Sequence, residues 1–226
     1  MNPTTITIGE CRLSYCNVFQ AQPPTSDPTG EPKFSVTVLV PKSNAAAKAS
    51  MDAAVNAAIE GGVVSRWNGV RPPVPAICIH DGDGARPSDG QPFGAECKGC
   101  WVFKASSKAE RPPFVVDRQV QKIINPAEIY SGCWGNVNVT FFPYSNAGKK
   151  GIGCALNGIQ KTRDDEPLVN RVTAEEAFSA MAGAPTPAAQ PTWGAPAPAA
   201  QPAPAWGAPA AGWPNIPTAP TGWPNV

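Results

Sequence analysis

Every second residue from Cys133 to Phe141 is small or apolar (Cys133, Gly135, Val137, Val139, Phe141), and the residues between them, Trp134, Asn136, Asn138 and Thr140, are polar or amphipathic. A period of two predicts a strand with one face in a core and the other in solvent. On that register Trp134 stands on the polar face, and Tyr144 continues the same face beyond Pro143. Ser145-Asn146-Ala147-Gly148 carries the Asn and Gly of hairpin loops, and Lys149-Lys150 place two cations at the tip. The return strand GIGCALNGIQK turns Ile152, Cys154 and Leu156 to the core. Gly153 and Gly158 in it are positions where a backbone or a ligand can approach closely.

The same periodicity predicts strands at Thr5 to Gly9, through RLSYCNVF, and through KFSVTVLV with Phe34, Val36, Val38 and Val40 inward. After Pro41-Lys42 the spacing changes to that of a helix. Ser43 is the expected N-cap, Met51, Val55, Ala58 and Ile59 form one apolar stripe, and Gly61-Gly62 is the expected stop after Glu60. Residues 71–94 are rich in Pro and Gly and read as loops around one short strand, PAICIH. CWVFKASS and FVVDRQVQKII supply two more strands, and Thr173 with Glu176 forms a capping box for a short helix through Phe178 and Met181. Five or more strands with one inserted helix and a short C-terminal helix predict a mainly β protein, an elaborated OB-fold barrel.

Several strings between Ile6 and Phe178 carry a resemblance: RLSYCNVF, GEPKFSVTVLVPKS, HDGDGARP, FKASSKAERPPFVVD and, most specifically, IYSGCW and KGIGCAL. They resemble a phage-encoded family of single-stranded DNA-binding proteins, similar to the replicative single-stranded DNA-binding proteins of short-tailed coliphages. The resemblance implies an OB-fold, no catalytic activity, single-stranded DNA as partner, and a part in replication or recombination. The chain departs from the family in two places. Its C-terminus lacks the acidic tail such proteins use to recruit partners, and Cys97 and Cys100 are not residues of the family pattern.

The net charge of +1 conceals a segregation: from Lys98 to Arg163, ten Lys or Arg stand against three Asp or Glu. A basic stretch in a near-neutral chain is the footprint of a phosphate-binding surface, although solvated strand faces also carry Lys and Arg. A binder of single strands needs cations along a track and flat side chains on which bases stack. Lys33, Lys104, Lys108, Arg111, Arg118, Lys122, Lys149 and Lys150 are the candidate phosphate contacts, and Trp134 and Tyr144 the candidate stacking platforms. Trp101 and Phe103 share an alternation face with Ala105, which fits a core as well as a stack. Arg12 and Tyr15, in the RLSY string, fit structure as well as contact.

From Ala184 onward the last 43 residues contain no charge, 12 Pro and 13 Ala. Such a segment buries too little surface to offset its ordering entropy. The expected organisation is therefore an OB-fold single-stranded DNA-binding domain over 1–183 and a disordered Pro/Ala/Trp-rich tail over 184–226. Trp193, Trp206, Trp213 and Trp223 recur there in similar contexts, which makes them candidate partner-binding residues for a replication or recombination protein. A DNA-stacking arm and a plain linker are the competing readings of the tail. No run approaches about 18 apolar residues and the N-terminus has no signal-peptide pattern, so no membrane contact is expected and the cytoplasm of the infected bacterial cell is.

Seven Cys without a framework pattern fit reduced thiols. Cys97-x-x-Cys100 is half of a zinc site, and His80 is the single His of the chain. Asp81 and Asp83 either hold a divalent ion or shape a DGDG turn. No phosphate loop and no nucleophile elbow is present. The reading adopted is a non-enzymatic single-stranded DNA-binding protein without metal or cofactor. The alternatives are a metal-dependent nuclease using Asp81 and Asp83, and an adaptor acting through its Trp/Pro tail; a homodimer is compatible with each.

Overall fold

The computed structural model describes residues 2–24, 28–146 and 148–168. The expected capping box at Thr173, the short helix after it and the Trp-bearing tail lie outside the described residues. The elements are β1 (Thr5–Gln22), β2 (Lys33–Pro41), α1 (Ala45–Ser65), β3 (Ala76–Ile77), β4 (His80–Asp81), β5 (Cys100–Lys108), β6 (Phe114–Val116), β7 (Trp134–Asn146) and β8 (Lys149–Arg163).

Five of these strands close a barrel. β8, β7, β1, β2 and β5 are neighbours in that order, and β5 returns to β8 through a parallel pairing of Ser106 with Ala155. Around the barrel the first strand is flanked by the second and fourth, and the third runs parallel to the fifth. This is the Greek-key closure of the OB-fold that the strand pattern predicts. The helix is inserted between the second and third barrel strands.

The core follows the alternation. Val36, Val38 and Val40 of β2, Phe103 and Ala105 of β5, Val137, Val139 and Phe141 of β7, and Ile152, Leu156 and Ile159 of β8 all point inside. Phe103 packs on Phe141 with ring centroids 6.3 Å apart, so it is a core residue and not a stacking platform. Met51, Ala54, Val55, Ala58 and Ile59 of α1 join the same cluster.

Five local expectations are corrected. The N-cap is Asn44, not Ser43: its side chain accepts from the Ala47 N–H at 3.0 Å. The helix also runs through Gly61-Gly62 to Ser65. Gly62 serves close packing instead of termination, because a β-carbon there would stand 2.7 Å from the Pro143 side chain and 3.1 Å from the Trp67 indole. Trp67 is buried, and its indole N–H donates to the Tyr144 carbonyl at 3.0 Å, tying the end of the helix to β7.

The strands expected at Thr5–Gly9 and in RLSYCNVF are one strand, β1. Its pairing with β7 shifts between Ile8 and Cys11, and its pairing with β2 shifts between Ser14 and Asn17. Glu10 (φ 54°) and Tyr15 (φ 48°) are the left-handed residues at these two bulges. Bulges sharpen the twist and let one strand serve two neighbours around a tight barrel. PAICIH divides into β3, beside β8, and β4, beside β5. Of FVVDRQVQKII only the first three residues form a strand, because the Asp117 carboxylate accepts from the Gln119 and Gln121 N–H groups, both at 2.8 Å, and closes a turn.

Candidate nucleic-acid interface

The polar positions of β7 are largely occupied by side chains of β1 and β8. The Asn138 amide donates to Thr7 Oγ1 at 2.8 Å, Thr140 Oγ1 lies 2.9 Å from Thr5 Oγ1, and the Asn136 amide donates to Gln160 Oε1 at 3.0 Å. These Asn and Thr residues lace β1, β7 and β8 together across the outer surface. Cross-strand pairs of this kind stabilise a sheet.

Beside this lattice, where β5 meets β8, the surface opens into a groove of ≈ 520 Å³. Lys33, Lys108 and Arg111 line it together with Phe114, Phe142 and Asn157. Strand register explains the cations: outward residues of β2 and β5 alternate with the core, which sets Lys33 directly opposite Lys108 and Lys104 opposite Thr37. Like charges placed opposite each other across a sheet are destabilising. Among the described residues the one carboxylate within 4.0 Å of either lysine is Glu31, 4.0 Å from Lys108.

Register explains the rings as well. Phe142 pairs with Gly153 and Phe114 with Gly158. A β-carbon at Gly153 would stand 2.6 Å from the Phe142 ring, and one at Gly158 would stand 2.5 Å from Phe114 Cγ. What approaches these glycines closely is therefore an aromatic ring from the next strand, laid across the bare backbone. Phe114 and Phe142 remain 54% and 41% exposed. Neither ring stands out in the sequence, since the signal is an aromatic facing a glycine on another strand and needs the register. Tyr144 faces Gly151 in the same way, one step nearer the hairpin tip.

The remaining candidates are spread around this groove. Lys149 and Lys150 lie at the start of β8, at the hairpin tip. Arg118 is in the Asp117 turn, and Lys122 lines an adjoining apolar recess with Phe34, Phe114 and Ile123. Among the described residues, none of Lys33, Lys104, Arg111, Arg118, Lys122, Lys149 and Lys150 has an ion-pair partner within 4.0 Å, whereas Arg12, Lys42, Lys48, Arg71, Arg86, Lys161 and Arg163 each do. Arg66 and Lys98 likewise have none among the described residues, and Lys108 has Glu31 at 4.0 Å, so the candidate cations are unpaired but for Lys108.

Trp134 sits at the opposite end of β7 from the hairpin tip, roughly 35 Å from Ser145 at about 3.3 Å per residue. Its indole N–H donates to Asp165 Oδ2 at 2.7 Å, and the Arg163 guanidinium lies 4.1 Å from its ring centre. The Trp134 hydrogen bond, above all, holds the Asp165 carboxyl below the usual carboxylate range. Arg12 is engaged at the same end, donating to the carbonyls of Gly132 at 3.2 Å and Glu166 at 2.7 Å. Trp101 is half-buried against the core, with Lys42 and Lys48 over its ring.

Asp81 and Asp83 both grip Lys42, each at 2.6 Å, and this pairing lowers both carboxyls. Asp81 also accepts from the Asp83 N–H and Asp83 from the Gly99 N–H, which is the bonding of a structural turn. Cys97 is buried, which pushes its thiol up to about 11. All seven cysteines are free, and no cluster of three metal-ligating side chains occurs among the described residues.

A family model described as the single-stranded DNA-binding protein of Enterobacter phage Enc34 matches residues 4–186. The chain is 27% identical over 190 residues to putative protein p50 of Acyrthosiphon pisum secondary endosymbiont phage 1, covering 79% of this chain and 95% of that protein. Its fold is similar to the single-stranded DNA-binding protein from bacteriophage Enc34 in complex with single-stranded DNA, with a TM-score of 0.61 and 28% identity over 74% of this chain and 90% of the other. A second structure of that phage Enc34 protein gives a TM-score of 0.59 and 28% identity over 78% and 90%.

Proposed function

The chain belongs to the Enterobacter phage Enc34 single-stranded DNA-binding protein family, and on that basis we propose that it binds single-stranded DNA without catalysing a reaction, in phage replication or recombination in the cytoplasm of the infected cell. The observation that carries the reading is the groove between β5 and β8. It joins three cations, Lys33 opposite Lys108 with Arg111 beside them, to two exposed rings, Phe114 and Phe142. Single-stranded DNA offers both complements, a phosphate chain and free base faces. Lys104, Tyr144 and the hairpin-tip pair Lys149 and Lys150 extend the path at one end, Arg118 and Lys122 at the other, and Trp134 is an outlying platform. A duplex keeps its base faces stacked inside, so the rings have nothing to hold.

The test is a titration of the protein with oligo-dT and with a duplex of equal length over a range of salt. Tight, salt-dependent binding of oligo-dT with much weaker duplex binding is the expected result. Equal affinity for the two would overturn the reading, and so would magnesium-dependent cleavage of either.

A further inference from the structure

We propose that Val120 is a nucleotide-contact residue: a recess that adjoins the cationic groove at Phe114 takes one unpaired base of the bound strand, and Val120 is the apolar wall against which that base rests. The inference rests on the groove between β5 and β8 being the path of the DNA.

Val120 occupies a backbone position that does not suit its side chain. β6 turns back as a short hairpin, in which Val116 pairs with Lys122, the Asp117 N–H donates to the Gln121 carbonyl at 2.9 Å and the Ile123 N–H to the Val115 carbonyl at 3.0 Å. The loop is three residues long, Arg118, Gln119 and Val120, and Val120 has φ 64°. The last residue of a three-residue hairpin loop is the left-handed one, a place for glycine, which has no β-carbon to clash. A β-branched residue there is an outlier.

Core packing does not account for it, because Val120 is 68% exposed. A strained residue persists where its surroundings hold it in place, and such residues gather at binding sites. Here the Asp117 carboxylate accepts from the Gln119 and Gln121 N–H groups. The side-chain amide of Gln160, on β8, donates to the Asp117 carbonyl at 3.3 Å and to that of Arg118 at 3.5 Å. The loop is thus fastened to the barrel from both sides.

Val120 lines a recess of ≈ 200 Å³ with Phe114, Asn136, Asn138 and Gln160. Phe114 lines the cationic groove as well, so the two hollows adjoin at its ring. A strand that passes over Phe114 out of the groove enters this recess next, and Arg118 of the same loop supplies a cation for the adjoining phosphate. A base has apolar faces and a polar rim, which a lining of one ring, one aliphatic side chain and three side-chain amides complements.

Val120→Gly separates a contact from a structural role. Glycine fits the left-handed backbone and removes the wall, so the thermal midpoint of the full chain should hold or rise. Affinity for oligo-dT should nevertheless fall about 3- to 10-fold, the range for losing the apolar contact of part of one valine side chain. The slope of log affinity against log salt should stay as in wild type, since no phosphate contact is removed. An unchanged affinity overturns the inference. A flatter slope also overturns it, because the loss would then come from a displaced Arg118, and so does a lowered midpoint, which would make Val120 a structural residue. Phe114→Ala in the same titration distinguishes this failure from that of the groove. Weakened binding in Phe114→Ala with unchanged binding in Val120→Gly overturns the inference and leaves the groove standing. Unchanged binding in both, or none by the wild-type chain, removes the path and the inference with it.

Discussion

Trp134 is the most braced aromatic on the outer face of β7, its N–H taken by Asp165 and one ring face covered by Arg163. A cation over an exposed ring contributes about 0.5–1 kcal/mol, and the indole hydrogen bond stabilises the charged form of the carboxylate. The folded pKa of Asp165 thus lies below its unfolded value. Its contribution to stability is present above the ordinary carboxylate pKa and is lost as pH falls through the lowered one. Trp134→Phe keeps an aromatic platform and removes the donor. The variant should be less stable than wild type at pH ~7, and the gap should narrow at acid pH, as Asp165 takes up its proton in the folded state. Urea denaturation at neutral and acid pH measures this. A gap that does not change with pH would show that the Trp134–Asp165 bond adds nothing, and oligo-dT affinity of the same variant reports separately on stacking.

At the scale of elements the site is made by pairing register, because a ring on β7 or β6 needs a bare position on β8 to lie across. Gly153→Ala adds one methyl that must displace the Phe142 ring, a far end of a side chain and so a movable one. The fold should survive, with the thermal midpoint lowered by a few degrees, while oligo-dT affinity falls nearly as far as in Phe142→Ala, for which one lost stack is worth about 1–3 kcal/mol. Unchanged affinity in both variants would remove Phe142 from the path. The β7–β8 hairpin is legible in the sequence because its alternation runs without a break from Cys133 to Phe141. β1 is not legible as one strand, because the bulge residues Glu10 and Tyr15 each shift its phase. Gly62 resembles a helix stop in sequence, and only the crossing of α1 over Pro143 shows its role. The eight candidate cations follow from charge alone, but Phe114, Phe142 and Asn157 depend on which residues of β8 lie opposite β6 and β7, a non-local relation that periodicity does not carry.

For the whole molecule the decisive quantity is how a nearly neutral chain attracts a polyanion. The net charge of +1 gives no long-range attraction, so binding must come from the local field of cations that no carboxylate neutralises. The ion pairs achieve this division: Lys42, Lys48, Arg71, Arg86, Lys161 and Arg163 are held by Asp and Glu, while Lys33 and Arg111 have no such partner among the described residues and Lys108 has one at 4.0 Å. For a single strand, every phosphate that a protein cation ceases to neutralise lowers the slope of log affinity against log salt by roughly 0.7. Replacing Lys33, Lys108 and Arg111 together by Ala should therefore flatten the slope by about 2. The fold should not suffer, since removing the opposed lysines relieves a repulsion. The hairpin tip is tested separately: Lys149→Ala with Lys150→Ala should flatten the slope by up to about 1.4 if the strand runs on to the tip, and leave it unchanged if the path ends at Phe142. Were the tip pair to reduce the slope and the groove triple to leave it intact, the strand would lie along the hairpin end of the barrel and the β5–β8 groove would lose its role, because counterion release registers only the cations that take the place of those ions on the phosphates.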